Sequence, residues 1–158
     1  MILEEIEAFA AALPAHRAIL ALDLGTKTIG VAASDALLSS ANPVETIKRR
    51  KFGLDAARVL EIADTRAAAG LILGLPRNMD GSEGPRCQST RAFARNLAGL
   101  TDLPITFWDE RLSTVAAERA LIEADLTRKR RSEVIDAVAA AYILQGALDR
   151  LRHLRAAT

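Results

Sequence analysis

The chain has 158 residues, a single cysteine and a formal net charge of +1 at pH 7. This length suits one globular domain with an ordinary hydrophobic core, so we expect residues 1–158 to form a single domain. The lone Cys87 excludes an internal disulfide, and no apolar stretch approaches the ~18 residues of a membrane span. The N-terminus is acidic where a signal peptide would be basic. We therefore expect a cytoplasmic protein with no membrane partner.

The nearly neutral net charge hides two basic clusters, at residues 48–51 and 128–131. Each is an unbroken run of Lys and Arg, which is the kind of cluster that binds nucleic-acid phosphates. Short charged runs are also common on solvated surfaces. Both interpretations stay open until the clusters are placed relative to a site.

The first half of the chain predicts a helix and a three-stranded meander. Helical apolar spacing over residues 3–13, ending before Pro14, predicts a helix within an N-terminal extension of residues 1–17. Two apolar runs joined by a Gly-Thr-Lys-Thr turn predict a hairpin of residues 18–23 and 29–33. A third short strand is predicted at residues 44–47.

The second half alternates helices with strands. Helices are predicted at residues 52–69 and 85–97, and strands at residues 71–75 and 105–108. A further helix is predicted to begin at Ser113 or Thr114. Ser132 is a good N-cap for a final helix over residues 133–151.

This order predicts an α/β fold with a mixed five-stranded sheet flanked by helices. An antiparallel meander continued by parallel strands through crossover helices is typical of ribonuclease-H-like domains. In such sheets the loops after the parallel strands share one edge, where catalytic groups gather.

Acidic residues occur at that predicted edge. Asp23 ends the first strand, Asp109 and Glu110 end the last, and Asp136 lies early in the final helix. An isolated acid near a helix start often only complements the helix dipole. Several acids converging on one edge instead indicate a site for Mg²⁺ or a similar hard cation, since such ions prefer oxygen ligands.

Four collinear motifs, at residues 23–31, 74–84, 108–114 and 135–144, resemble those of the YqgF family. This Holliday-junction-resolvase-like family is also known for a proposed role in maturing the 5′ end of the 16S ribosomal RNA precursor. The resemblance implies a metal-dependent nuclease that acts on structured RNA in ribosome biogenesis, with ribosomal particles as further partners.

The resemblance also implies the active-site residues. Its acidic positions fall on Asp23, Glu110 and Asp136, which are expected to hold Mg²⁺ or Mn²⁺. Adjacent strand residues face opposite ways, so Asp109 is expected to pair with Arg111 or to cap the next helix. Whether Asp80 joins the site stays open.

Several residues are candidates for binding nucleic acid at the same edge. Lys27 lies in the hairpin turn and Asn78 in the long loop after the fourth strand. Basic side chains supply the rest of the predicted set, which comprises Arg91, Arg111, Arg130 and Arg131. Each of these residues could instead be a turn former or a solvated charge.

Alternative functions follow from the same motifs. RuvC-type resolvases carry a further acid three residues after the last-helix Asp, where this chain has Ala139, so a Holliday-junction substrate is the second choice. Asp-Leu-Gly-Thr also resembles the phosphate loop of actin-like ATPases and kinases, although those enzymes need two domains. A non-catalytic nucleic-acid-binding factor is the remaining alternative.

Overall fold

The computed structural model of the chain describes residues 1–112 and 128–156. Five strands and four helices are present in this part of the chain, with one 3₁₀ turn at Glu110–Leu112. The strands are β1 (Ala18–Leu24), β2 (Thr28–Ser34), β3 (Ala41–Lys48), β4 (Ala68–Leu75) and β5 (Ile105–Asp109). The helices are α1 (Ile6–Ala12), α2 (Phe52–Thr65), α3 (Pro85–Ala98) and α4 (Arg128–Ala156).

The strands form one mixed sheet in the order β3-β2-β1-β4-β5. The hairpin of β1 and β2 and the pair of β2 and β3 are antiparallel, whereas β1, β4 and β5 run parallel. This arrangement confirms the fold predicted from the sequence. Because β1 is central and buried along its whole length, it carries any polar residue into the middle of the molecule.

Helices cover both faces of the sheet. On one face, residues of α2 and α3 share a hydrophobic cluster with alternate residues of the strands. On the other face, α1 and α4 pack on Ile19, Ala21, Ala32 and Ile72. Residues two apart on a strand lie on the same face of the sheet. Asp23 therefore shares the α4 face with Ala21, and Gly30 shares it with Ala32.

The N-terminal helix is shorter than predicted. It begins at Ile6 because the first residues extend along the edge of the sheet: Ile2 forms a parallel bridge with Ile105. The Leu3 amide donates to the Ile105 carbonyl at 2.7 Å, and the Ile105 amide donates to the Met1 carbonyl at 2.8 Å. Apolar spacing cannot distinguish this edge pairing from a helical turn.

The prediction that the second helix continues to residue 69 is wrong. Helix α2 ends at Thr65, and Ala67 adopts a left-handed backbone with φ of 53° that reverses the chain into β4. Glycine usually takes this conformation, so an alanine at position 67 does not indicate a turn. The fourth strand consequently starts at Ala68.

The final helix is longer than predicted at both ends. Residues 128–131, the second basic cluster, precede the predicted start of this helix but have helical backbone as part of α4. Ser132 therefore lies inside the helix and does not cap it. The helix predicted to begin at Ser113 or Thr114 lies outside the described residues.

No helix in the described part of the chain has the length and apolar character that a membrane crossing requires. Cys87 is buried in α3 as a small apolar side chain, and burial raises the pKa of its thiol.

Candidate active site

Asp23 is the buried acid at the centre of the candidate site. It lies at the end of β1 with 6% of its surface exposed, on the face covered by α4. Burying a carboxylate among apolar residues is costly unless opposite charge or hydrogen-bond donors meet it. The neighbouring strands each place a glycine beside Asp23, and both glycines make room for other acidic residues.

Gly74 on β4 makes room for Glu110. A Cβ at Gly74 would lie 2.7 Å from the Glu110 Oε1 atom and 2.6 Å from the Ile143 Cδ1 atom. The Glu110 carboxylate therefore lies directly over the end of β4, although its backbone belongs to the turn that follows β5. Glycine at this position is what allows the carboxylate to approach the sheet.

Gly30 on β2 makes room for the backbone of Asp136. Gly30 is the cross-strand partner of Asp23, and a Cβ there would overlap the Asp136 carbonyl. The Thr28 hydroxyl donates to the Asp136 Oδ2 atom at 2.5 Å, which fixes this carboxylate over the start of β2. Helix α4 thus crosses the sheet with Asp136 beside Asp23.

The three predicted acids consequently lie on one face and at one edge of the sheet. Their oxygen donors suit a hard divalent cation in chemistry, and the two glycines form the space in which they approach Asp23. Among the described residues, no group of three or more His, Cys, Asp or Glu is close enough to hold a metal ion.

Asp109 faces the other side of the strand, as the alternation of side chains predicted. It accepts from the Arg111 guanidinium at 2.7 Å and from the Arg111 amide at 2.9 Å, and Arg77 lies 4.0 Å away. The hydrogen bond from the Arg111 side chain is the main reason that the pKa of Asp109 is lowered. The predicted pair of Asp109 and Arg111 is therefore confirmed.

The loop after β4 is closed by its own polar residues. Asn78 donates from its side-chain amide to the Ser82 hydroxyl at 3.0 Å, and their backbones are also paired. Asp80 accepts from both the amide and the hydroxyl of Ser82, and these hydrogen bonds lower its pKa. Both side chains brace the loop, which leaves their predicted contact with substrate or metal a hypothesis.

Two of the predicted phosphate-binding arginines are engaged by carboxylates. Arg91 is held by Glu83 at 2.6 Å and by Glu4 at 2.7 Å, and Arg111 is held by Asp109. The hydrogen bond from Arg91 is the main reason that the pKa of Glu83 is lowered. Binding a phosphate would require these arginines to exchange partners.

The other predicted basic residues differ in how far the structure describes them. Lys27 is exposed in the turn between β1 and β2. The side chains of Arg130 and Arg131 lie outside the described residues, although their backbone belongs to α4.

Sequence reasoning missed the residues that shape the site around the acids. Thr28 was grouped with the hairpin turn, and the closeness of Gly30 to α4 was not recognised. A glycine inside a strand often marks a close backbone approach, so Gly30 carried a usable signal. Arg86, which lines a small cleft beside Gly25, is not among the predicted residues, whereas its neighbour in the cleft, Arg49, belongs to the basic cluster of residues 48–51.

The family is settled by comparison with known proteins. A family model described as "RuvX: Holliday junction resolvase" matches residues 17–150. The chain belongs to the RuvX family. It is accordingly a nuclease, a hydrolase that acts on phosphodiester bonds.

Curated relatives support the same assignment over nearly the whole chain. A protein of Ruegeria pomeroyi is 73% identical over 98% of this chain and 100% of its own length. One from Roseobacter denitrificans is 72% identical over 99% of this chain and 97% of its own length. Both are named "Putative pre-16S rRNA nuclease".

Solved structures show a shared fold at low sequence identity. Thermus thermophilus RuvC in complex with a Holliday junction substrate has a TM-score of 0.56 at 16% identity, covering 87% of this chain and 97% of that chain. The yeast mitochondrial Holliday junction resolvase has a TM-score of 0.50 at 11% identity, covering 96% and 87%. These likenesses confirm the ribonuclease-H-like fold predicted from the sequence.

Proposed function

We propose that the protein is a divalent-metal-dependent endonuclease that processes the 5′ end of the 16S ribosomal RNA precursor. One observation carries this proposal: the buried carboxylate of Asp23 lies between two glycines that admit Glu110 on one side and Asp136 on the other. Acids brought together in this way repel one another and are costly to bury, so the arrangement favours binding of a cation and does not stabilise the fold by itself.

Asp23, Glu110 and Asp136 would hold Mg²⁺ or Mn²⁺. When bound, such a cation makes a water molecule more nucleophilic and stabilises the charge that develops on the phosphate. Thr28 keeps the Asp136 carboxylate oriented through its hydrogen bond. The core beneath the site excludes water from the inner side of Asp23 and leaves the edge of the sheet as the approach for substrate.

RNA is the favoured substrate because the curated relatives are named for the 16S precursor. The residue one helical turn after Asp136 supports this choice. Ala139 is 1% exposed and packs in the hydrophobic cluster under α4, so it supplies no further carboxylate of the kind that RuvC-type resolvases place there. A Holliday junction in DNA is the second candidate, since the family description names that substrate.

The proposed substrate also sets the partners and the location. With the ribosomal RNA precursor as substrate, immature ribosomal particles are the expected partners. In bacteria these particles are cytoplasmic, and we place the protein there as well.

The test compares two substrates with the same protein preparation. Purified protein is incubated with an RNA that spans the 5′ leader and the start of mature 16S rRNA, and separately with a four-way DNA junction. Cleavage of the RNA in Mg²⁺ or Mn²⁺, and none in EDTA, is the expected result. Cleavage of the junction alone would replace RNA processing by junction resolution, and metal-independent cleavage would refute the proposed chemistry.

A further inference from the structure

Two arginines near the candidate site have no acidic partner among the side chains that the structure describes. Arg77, Arg91 and Arg111 all lie within 4.0 Å of a carboxylate oxygen. Within residues 1–112 and 128–156, Arg49 and Arg86 make only hydrogen bonds to backbone carbonyls and a ring contact. A guanidinium has five N–H donors, so both groups retain donors for an anion.

These two arginines line one small cleft. Its volume is about 70 Å³, and its walls include Gly25, Thr26 and the hydroxyl-bearing Ser89. Pockets that hold small organic ligands usually measure about 300–1,000 Å³. The cleft therefore suits a group of the size of a phosphate better than a whole nucleoside.

Arg49 is fixed in place before any ligand arrives. Its guanidinium donates to the Gly25 carbonyl at 2.7 Å and lies 5.8 Å from the centre of the Phe93 ring. Its backbone amide also donates to the Lys27 carbonyl at 2.9 Å. A planar group held in this way loses little entropy when it binds a phosphate, which favours bidentate contact.

Arg86 approaches the same cleft from α3. Its Nη2 atom lies 3.5 Å from the Leu24 carbonyl, which is a long contact that is easily exchanged for a charged acceptor. The two arginines thus contact consecutive carbonyls at the start of the β1–β2 turn. Leu24 and Gly25 directly follow Asp23, so the cleft opens at the same edge of the sheet as the candidate active site, on the face that α3 covers.

We propose that the cleft formed by Gly25, Arg49, Arg86 and Ser89 binds a backbone phosphate of the substrate strand, close to the phosphate that is cleaved at Asp23. This inference rests on the proposed function, because it takes nucleic acid as the substrate. A phosphate held there fixes the register of the strand over the acids and carries no base specificity.

The experiment measures RNA binding without cleavage. The 16S precursor RNA is titrated in EDTA at several salt concentrations with wild-type protein, Arg49→Gln, Arg86→Gln and the double variant. Loss of a charge-assisted hydrogen bond predicts about tenfold weaker binding for each single variant. Loss of one phosphate contact predicts that the slope of log K against log salt falls by about 0.7 to 0.9 in the double variant.

Two comparisons separate this cleft from a general charge effect. Arg152→Gln removes the same charge from the far end of α4, sixteen residues or roughly 24 Å beyond Asp136, and should leave the slope unchanged. If Arg49 and Arg86 hold one phosphate, the double variant should lose less affinity than the sum of the single losses.

Two further variants guard against a folding defect, since Arg49 also braces the β1–β2 turn. Ser89 is exposed on α3, and Ser89→Glu should repel a phosphate while the melting temperature stays that of the wild type. Arg49→Lys keeps the charge but loses the planar guanidinium that can donate two hydrogen bonds to one phosphate. It should therefore bind RNA more weakly than the wild type, with an unchanged slope of log K against log salt.

Three outcomes would overturn the inference. The first is an unchanged slope in the double variant, and the second is unchanged RNA binding by Ser89→Glu. The third combines two results: inorganic phosphate raises the melting temperature of the wild type but not that of Arg86→Gln, and RNA binding is the same for the wild type and the cleft variants. This combination would make the cleft a site for a free anion. Because binding is measured in EDTA, these results do not depend on whether the protein cleaves RNA.

Discussion

Substitutions of single acidic residues should show which carboxylates are needed for cleavage. Asp23→Asn, Glu110→Gln and Asp136→Asn should each lower RNA cleavage by roughly 100-fold or more, because a metal centre contributes several kcal/mol to transition-state stabilisation. Asp109→Asn should retain most activity, since Asp109 faces Arg111 on the other side of the strand. Rates are measured in Mn²⁺ with saturating RNA.

Binding of the same RNA in EDTA serves as the control for these variants, and it should stay close to that of the wild type. Full activity in any one of the three would remove that residue from the site. An equal loss of cleavage activity in Asp109→Asn and Glu110→Gln would show that the direction in which each side chain faces does not distinguish a structural acid from a catalytic one.

The pair of Asp109 and Arg111 should make stability depend on acid pH. The pKa of Asp109 is lowered in the folded state, chiefly by the Arg111 side chain. Its contribution is therefore complete above the unfolded pKa of about 4 and is lost as pH falls through the folded pKa. Asp109→Asn should cost about 1 kcal/mol near neutral pH and progressively less in acid, measured by urea unfolding.

Arg111→Gln provides the matched variant for that experiment. It should lose a similar free energy of unfolding near neutral pH, and combining it with Asp109→Asn should add little, because both changes remove one interaction. A stability difference for Asp109→Asn that stays constant between neutral and acid pH would contradict an ion-pair role.

The sequence predicted individual residues where the rule was local. Strand alternation separates Asp109 from Glu110, and an i, i+2 spacing is enough to pair Asp109 with Arg111. The contact of Arg91 with Glu4, one of its two partners, could not be predicted in the same way, because Glu4 is 87 residues away and follows the segment that pairs with β5 only in the folded chain. The sequence identifies a basic residue, but only the folded structure shows whether its side chain already forms an ion pair.

At the scale of elements, the contact between α4 and β2 depends on Gly30. Gly30→Ala would press a methyl group onto the Asp136 carbonyl, so either the helix or the strand must move. We expect a loss of about 1–3 kcal/mol in the free energy of unfolding, together with reduced cleavage because Asp136 is displaced. Urea unfolding and cleavage rates measure the two effects.

Gly53→Ala is the matched control for Gly30→Ala. A Cβ at Gly53 in α2 meets nothing within 4 Å, so the same substitution should be neutral or should stabilise the protein by up to about 1 kcal/mol. If Gly30→Ala is as stable and as active as Gly53→Ala, then α4 does not rest on β2 as closely as the structure shows.

Element boundaries show where local patterns stop being informative. Strands β1, β2, β4 and β5 were predicted because each is largely an apolar run with a clear turn on at least one side, whereas the more polar β3 was predicted only over residues 44–47. The end of α2 was not, because tertiary packing places Ala67 in a left-handed conformation without a glycine to mark it. The beginning of α4 was placed too late because a basic run is compatible with both loop and helix.

At the scale of the whole molecule, the N-terminal segment packs on the sheet as part of the hydrophobic core. Phe9 is fully buried, and a Cβ at Gly70 would lie 2.6 Å from its ring. Phe9→Ala should therefore cost about 3–5 kcal/mol in urea unfolding, while the position at which RNA is cut stays the same. Phe9→Leu, which keeps most of the volume, should cost much less.

The predicted single-domain organisation depends on that experiment. If Phe9→Ala lowers stability within one cooperative transition, residues 1–17 fold together with the rest of the chain. A loss below about 1 kcal/mol would instead indicate that α1 is a detachable addition to the nuclease fold.

Metal binding should also be visible in the stability of the whole protein, independently of cleavage. A cation that binds only the native state stabilises it by about 2.7 kcal/mol when its concentration is one hundred times Kd. For a chain of 158 residues this corresponds to an increase in Tm of about 5–10 °C. Asp23→Asn and Asp136→Asn should lose this Mn²⁺-dependent increase, because each removes an oxygen ligand from the same edge of the sheet.

The comparison that decides this last prediction is with Asp109→Asn, which removes the same charge close by but on the other side of β5. Its Tm should still rise with Mn²⁺, even though its starting Tm is lower than that of the wild type. If all three variants respond to Mn²⁺ as the wild type does, the cation binds elsewhere and the acids around Asp23 are not its ligands. Since folding is observed without RNA, this result holds whichever nucleic acid the enzyme cleaves.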